Sequence, residues 1–266
     1  MSESLVVVNG KKTNTVSVFD HGFLYSDGIF DTLRIFNEKL FFAPEHIERF
    51  FNSAAEVGIK IPYSKQELLT RIEEGYKEYR KKDVFVRIIL TRGEGEQGLL
   101  TPTKPTLVLI FTERAFKPLQ KVKAMISPIP KFGKDSFGRS IKGLNYGLAA
   151  EVLYKAKQIG ISEVIFTNEK GLVSEASTSN IFIVKDGQLY TPSLESGVLP
   201  GITREVAVRH FNVTQKELTV DDLLSADEVF LTGTTNFVTS VETIGDKVYE
   251  DFSFADKVFH TLESLM

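Results

Sequence analysis

The sequence predicts a mixed α/β (α+β) protein, and three observations carry that prediction. Apolar stripes at helical spacing occur alongside short β-branched runs along the whole chain. Strands cluster in the first part around two helices, whereas strand and helix alternate in the second. Between them, a charged and turn-rich stretch from Glu113 to Lys121 reads as a connection. The expected organisation is a domain over 1–114, a linker over 115–122 and a second domain over 123–266, meeting near residue 115.

Composition narrows the chemistry. At 266 residues the chain is long enough for a large core in one or two domains. A net charge of -3 gives no reason to expect nucleic acid or an anionic membrane as partner. No run approaches the ~18 apolar residues of a membrane span. Met1-Ser2-Glu3-Ser4 lacks the basic and apolar regions of a signal peptide, so the expected location is cytoplasmic. With no cysteine, disulfides, thiolate catalysis and cysteine-ligated metals are excluded. The four histidines, His21, His46, His210 and His260, have no ligand spacing, which argues against a metal site or a Ser-His-Asp triad. Lysine, carboxylates or a borrowed cofactor must carry any catalysis.

In chain order, Leu5 to Val8 reads as a strand, Asn9-Gly10 as a hairpin turn and Val16 to Val18 as the returning strand. Gly22 to Gly28 reads as a glycine-bracketed loop. Strands follow at Phe30 to Phe36 and Leu40 to Phe42, joined by a turn at Asn37-Glu38. Pro44 opens a helix striped by Ile47, Phe50, Phe51, Ala54 and Val57 and closed by Gly58. Ser64 to Glu67 is a capping box for a helix reaching about Arg80. Strands at Val84 to Leu90 and Leu107 to Phe111 flank a loop from Gly93 to Thr103.

The second part begins with a strand at Val122 to Ile126 and a Pro/Gly-rich run (Pro128, Pro130, Gly133, Gly138). Ser140 to Tyr146 leads into a helix striped by Leu148, Ala149, Val152, Leu153, Ala156 and Ile159. Strands are expected at Glu163 to Thr167, Asn180 to Val184, Leu189-Tyr190 and Glu228 to Leu231. Helices are expected after Gly201 and from Phe254 to Leu265.

Lys142 stands among apolar, small and amide neighbours ahead of a helix. The helix dipole and partial burial both disfavour its ammonium form, which suits an amine that forms an imine. The plain alternative is a solvated surface lysine. Leu199 to Arg204 precedes a helix, where the N–H groups of Ile202 and Thr203 make an anion site, or merely an ordinary helix start. Thr232-Gly233-Thr234-Thr235-Asn236 follows a strand and reads as a phosphate nest or a polar turn. Arg49 is either a surface charge or an arginine turned inward to clamp a phosphate. Glu175, a lone carboxylate between strands, needs a cationic partner if buried, and a protonated pyridine nitrogen is one. Each signal is weak alone. Together they are the parts needed to hold pyridoxal 5'-phosphate.

The blocks Tyr25 to Arg34, Glu45 to Arg49, Ile141 to Tyr146, Glu175 with Ser179 to Phe182, Leu199 to Arg204 and Ala226 to Phe230 also appear in a known order. In them the chain resembles the class IV, fold-type IV pyridoxal-phosphate aminotransferases, comprising branched-chain aminotransferases, D-amino acid transaminases and aminodeoxychorismate lyases. The resemblance implies a two-domain enzyme, with a small N-terminal α/β domain and a larger C-terminal pseudo-barrel domain. It implies a homodimer whose active site lies between domains and is completed by the neighbouring subunit. Lys142 would form the aldimine and shuttle the proton. Glu175 would hold the pyridine nitrogen, Arg49, Ile202, Thr203 and Thr234 the phosphate, and Tyr146 the 3'-oxygen. Tyr25, Phe30, Thr32, Arg87 and Thr235 would face the substrate.

Within that family the residues divide. Tyr25 and Arg87 match branched-chain enzymes and favour a transaminase acting on an amino acid and a 2-oxo acid. Phe30-Asp31-Thr32-Leu33 departs from their usual Phe-Glu-Gly-Ile, and Thr32 with Arg92 to Gly98 resembles the lyases, which release pyruvate and 4-aminobenzoate. Gly93 to Thr103 contains neither Arg nor His, which counts against the Arg-x-His trap of D-amino acid transaminases. A non-catalytic cofactor-binding protein is the remaining alternative.

Overall fold

A computed structural model describes residues 4–99, 104–131 and 141–265. Gly133, Gly138, Ser140 and the end of the expected Gly93–Thr103 loop lie outside these residues. The chain forms two compact units, one up to Ala115 with Ile141–Asn145, the other from Phe116 with Tyr146 onward. Thus the Lys142 segment joins the first unit, although the sequence reading grouped it with the second.

The first unit contains β1 (Leu5–Val8), β2 (Lys11–Lys12), α1 (His21–Tyr25), β3 (Gly28–Phe36) and β4 (Lys39–Leu40). It continues with α2 (Ala43–Glu56), α3 (Lys65–Tyr79), β5 (Val84–Glu94) and β6 (Lys104–Glu113). The strands make a six-stranded sheet in the order β2-β1-β6-β5-β3-β4. Its neighbouring strands are antiparallel. Alternation sets the faces. Ile29, Leu33, Ile35, Val84, Val86, Ile88, Leu90, Leu107, Leu109 and Phe111 form a core with Ile47, Phe50 and Ala54 of α2 and Leu68 and Ile72 of α3. Phe30, Thr32 and Arg87 consequently fall on the other face, with Thr32 directly opposite Arg87.

Two expectations fail here. The returning hairpin strand is Lys11–Lys12, not Val16 to Val18, because the tight Asn9-Gly10 turn places Lys11 opposite Val8 at once. Val16 and Val18 are exposed. The expected Gly22–Gly28 loop contains α1, whose N-terminus Asp20 caps by accepting from the Gly22 N–H, 2.8 Å. Ser26 in the left-handed region ends it.

The second unit contains β7 (Gln120–Ile126), α4 (Gly147–Gln158), β8 (Glu163–Thr167), β9 (Val173–Ala176), β10 (Asn180–Lys185) and β11 (Gln188–Pro192). Then come α5 (Ile202–His210), β12 (Val213–Lys216), α6 (Val220–Leu224), β13 (Glu228–Gly233), β14 (Phe237–Ile244), β15 (Lys247–Val248) and α7 (Ser253–Ser264). Its nine-stranded sheet runs β12-β11-β10-β13-β14-β7-β8-β9, with β15 on β14. The sheet curls into a half-barrel. Parallel β7 and β8 need a crossover, and α4 supplies it, burying Val152 and Ala156 against Val164 and Phe166. Glu175 therefore lies on a strand, β9, rather than between strands. Short β9 and polar β14 (Thr239, Ser240, Glu242) have too little apolar alternation to be read from sequence.

Candidate active site

In the first unit, Lys142 is held by backbone pairing to the start of β3. The Phe30 N–H donates to the Lys142 carbonyl at 2.8 Å and the Leu144 N–H to the Gly28 carbonyl at 3.1 Å. Gly28 makes the approach possible, since a Cβ there would lie 2.8 Å from Leu144 and 2.6 Å from the Leu90 carbonyl oxygen. Helix α4 begins only at Gly147, so Lys142 lies outside the turn where a helix dipole acts. The expectation of a dipole-tuned lysine is corrected: β3 positions this residue.

The Phe30 ring organises this face. The Lys142 ammonium stands 5.0 Å from its centroid and the Arg87 guanidinium 4.2 Å. Thr32, half-buried, sits two residues along the same strand face. The Tyr25 hydroxyl, at the end of α1, accepts from the Gly98 N–H at 3.1 Å. That loop is tied down further by Arg92 on Asp27 and by Ser17 donating to Glu94 at 2.9 Å.

Arg49 turns inward, and its two-pronged grip closes on a carboxylate, Asp31, where the inward reading expected a phosphate. Its Nε and Nη2 donate to Asp31 Oδ2 and Oδ1 at 2.9 and 2.8 Å. Asp31 is buried, which alone would raise its pKa, yet electrostatic attraction to Arg49 and His46 and their hydrogen bonds hold it well below the carboxylate range. Asp31 and His46 escaped the sequence reading. The available signals were a carboxylate at a core-facing position of an apolar strand, and the i, i+3 spacing of His46 and Arg49 on one helix face.

In the second unit, buried Glu175 is held by three donors. Lys131 pairs with Oε1, while the Leu199 N–H and the Asn180 side-chain amide donate to Oε2 at 2.9 and 3.4 Å. Burial pulls the Lys131 ammonium toward neutrality, but Glu175 more than offsets this and raises its pKa. Lys131 was also missed, because a single lysine after Pro128-Ile129-Pro130 carries no pattern.

The Asn180 amide also donates to the Leu199 carbonyl at 2.8 Å, linking Glu175 to the segment that enters α5. Gly201, the N-cap of α5, has no side chain with which to cap the helix. Buried Ile202 and Thr203 begin it. Thr232 has a buried hydroxyl without a partner among the described residues, and half-buried Thr234 and Thr235 follow it in the turn to β14. Tyr146 is the N-cap of α4 and is half-buried. A phosphorylated pyridine fits this set. An uncapped helix start and an orphaned hydroxyl suit phosphate, and a fixed carboxylate suits a ring nitrogen.

Known proteins share this build. The pattern of the family Amino-transferase class IV matches residues 28–244. A proposed branched-chain-amino-acid aminotransferase of Methanocaldococcus jannaschii is 34% identical over 258 residues, covering 91% of this chain and 88% of that one. A D-alanine aminotransferase of Bacillus licheniformis is 32% identical over 239 residues, covering 86% and 83%. The solved structure of a proposed 4-amino-4-deoxychorismate lyase of Legionella pneumophila superposes with a TM-score of 0.90 at 26% identity, covering 96% of this chain and 97% of that one. The fold is that of the fold-type IV enzymes, and pyridoxal 5'-phosphate is the cofactor of the class. With its family pattern spanning most of both units and relatives matching along almost its full length, this chain belongs to the class IV aminotransferases.

Proposed function

We propose that the enzyme is a transaminase moving an amino group between a small or branched apolar L-amino acid and a 2-oxo acid. One observation carries this reading: Arg87 and Lys142 flank the same Phe30 ring. A cation suited to an α-carboxylate thereby stands one aromatic ring away from the amine that handles the α-carbon. The branched-chain relative supports the substrate class. When bound, pyridoxal 5'-phosphate supplies a carbonyl that captures the amino group and a ring that accepts an electron pair.

This chain's residues do the rest. Lys142 carries the cofactor and then moves the proton at the substrate α-carbon. Glu175 keeps the ring nitrogen protonated, and Leu199 and Asn180 fix its second oxygen. Arg49, Ile202, Thr203 and Thr234 hold the phosphate, and Tyr146 the 3'-oxygen. Arg87, Tyr25 and Thr235 orient the carboxylate end, with Phe30 as the wall. Val16, Val18, Phe19, Phe23 and Leu99 are exposed on the first unit, Phe23 at 74% and Leu99 at 69%. A second copy of the chain covers these apolar side chains in a homodimer, acting in the cytoplasm. Sedimentation as a monomer at micromolar concentration would remove the homodimer.

A second reading rests on Thr32, opposite Arg87 and on the Phe30 face, where its hydroxyl serves a lyase as proton donor. One experiment separates the readings. L-leucine or L-valine is mixed with the holoenzyme while cofactor absorbance is followed. The transaminase reading expects loss of the band, its return with 2-oxoglutarate, and at least about tenfold weaker apparent amino-acid affinity in Arg87→Ala. Response to D-alanine alone makes it D-specific. No response to any amino acid, with pyruvate and 4-aminobenzoate formed from aminodeoxychorismate, replaces it by the lyase.

A further inference from the structure

Asp31 stands among Ile29, Leu33 and Ile35 on the face of β3 that α2 and α3 cover. A lone carboxylate there is costly unless its lone pairs are used. They are. Oδ2 accepts from Arg49 Nε, and Oδ1 accepts from Arg49 Nη2, from the Thr32 N–H at 2.7 Å and from His46 Nδ1 at 2.8 Å. His46 Nδ1 also lies 3.5 Å from Arg49 Nη2. A guanidinium and an ionised carboxylate fix the roles: Arg49 only donates and Asp31 only accepts. The hydrogen therefore sits on Nδ1 and points to Asp31, and the longer approach to Arg49 is a contact. His46 Nε2 is buried and has no partner among the described residues. The ring is spent on holding one carboxylate.

We propose that Asp31, propped by His46, is a positioning residue that fixes the Arg49 fork for the cofactor phosphate and pins the Thr32 backbone with the same carboxylate. The proposal rests on the reading that Arg49 takes that phosphate. Asp31 grips the Nε/Nη2 edge, so the direction of the Nη1 edge follows from β3 rather than from the flexible arginine stem. Phosphate grip and the substrate-facing side of β3 thus share one anchor.

A double-mutant cycle tests this. The cofactor dissociation constant and the ³¹P resonance of bound pyridoxal 5'-phosphate are measured for wild type, Asp31→Asn, Arg49→Met and the double variant. Asp31→Asn should weaken cofactor binding about tenfold and move the resonance toward that of Arg49→Met. The double variant should bind within about twofold of Arg49→Met, because Asp31 acts through Arg49. Losses that multiply, or an Asp31→Asn constant within twofold of wild type, overturn the proposal. If Arg49→Met binds like wild type, the phosphate reading itself fails and the proposal with it. Should Asp31→Asn not fold, Arg49→Lys decides, since lysine keeps the charge without the fork. Affinity as poor as that of Arg49→Met supports the proposal, and wild-type affinity overturns it.

Discussion

The Asn180 side chain occupies the space a Cβ at position 201 would need: an added Cβ on Gly201 would lie 2.0 Å from Asn180 Oδ1. The same amide donates to Leu199 and to Glu175. The residue that admits close packing at the start of α5 thus lies against the one that steadies Glu175.

Gly201→Ala must displace Asn180 and break those bonds. Overpacking plus a lost buried hydrogen bond costs about 2–4 kcal/mol. Urea denaturation should show it. Asn180→Ala in the same background should recover part of the loss, and purely additive effects would contradict the steric account.

Lys142→Ala should leave folding stability nearly unchanged, because the segment is held through backbone groups of Lys142 and Leu144. Covalent attachment of the cofactor should vanish. Borohydride treatment followed by peptide mass spectrometry checks this, and a labelled peptide from another lysine would refute the assignment.

Glu175→Gln should bind cofactor yet lose most activity. It also leaves half-buried Lys131 without its counter-ion, at a cost of about 1–3 kcal/mol. Adding Lys131→Met should restore stability but not turnover. Recovery of both would mean that Glu175 serves only the ion pair.

Glu228 gives a pH signature. It is buried and caps α7, accepting from the Phe254 and Ala255 N–H groups at 2.9 and 2.7 Å. Burial pushes its carboxyl up to about 6, which those donors only partly oppose. The folded chain holds this proton more tightly than the unfolded chain, so its contribution is fully present below the unfolded value of 4.5. It declines as pH rises to about 6, by about 2 kcal/mol. Asp31 works in the opposite sense, stabilising above its unfolded value of 3.8 and failing in acid. The difference in unfolding free energy between wild type and Glu228→Gln should shift against wild type across pH 4.5–6.5. A flat difference would show that the carboxyl titrates normally.

Long periodic elements were legible: α2, α3, α4 and the central strands of the first sheet lie where their apolar spacing placed them. The elements that escaped owe their form to neighbours. Val173 to Ala176 becomes a strand by pairing with β8, and five-residue α1 depends on its Asp20 cap. Site chemistry shows the same division. Arg49 and Glu175 were noticed as charges among apolar or small residues. Their partners Asp31 and Lys131 come from elsewhere in the chain, and only folding assigns them, whereas His46 stands one helical turn before Arg49.

Because the first unit borrows Ile141–Asn145, a ribosome that has released Ala115 has not yet delivered all of that unit. The nascent sheet must wait with the Gly28–Phe30 backbone unmatched on its β4 side until β7 and the residues beyond it have emerged. Lys142 therefore arrives late, and a chain arrested before it carries an open sheet edge and lacks the lysine proposed to attach the cofactor. Holdase binding to stalled chains should fall once the lysine segment clears the exit tunnel.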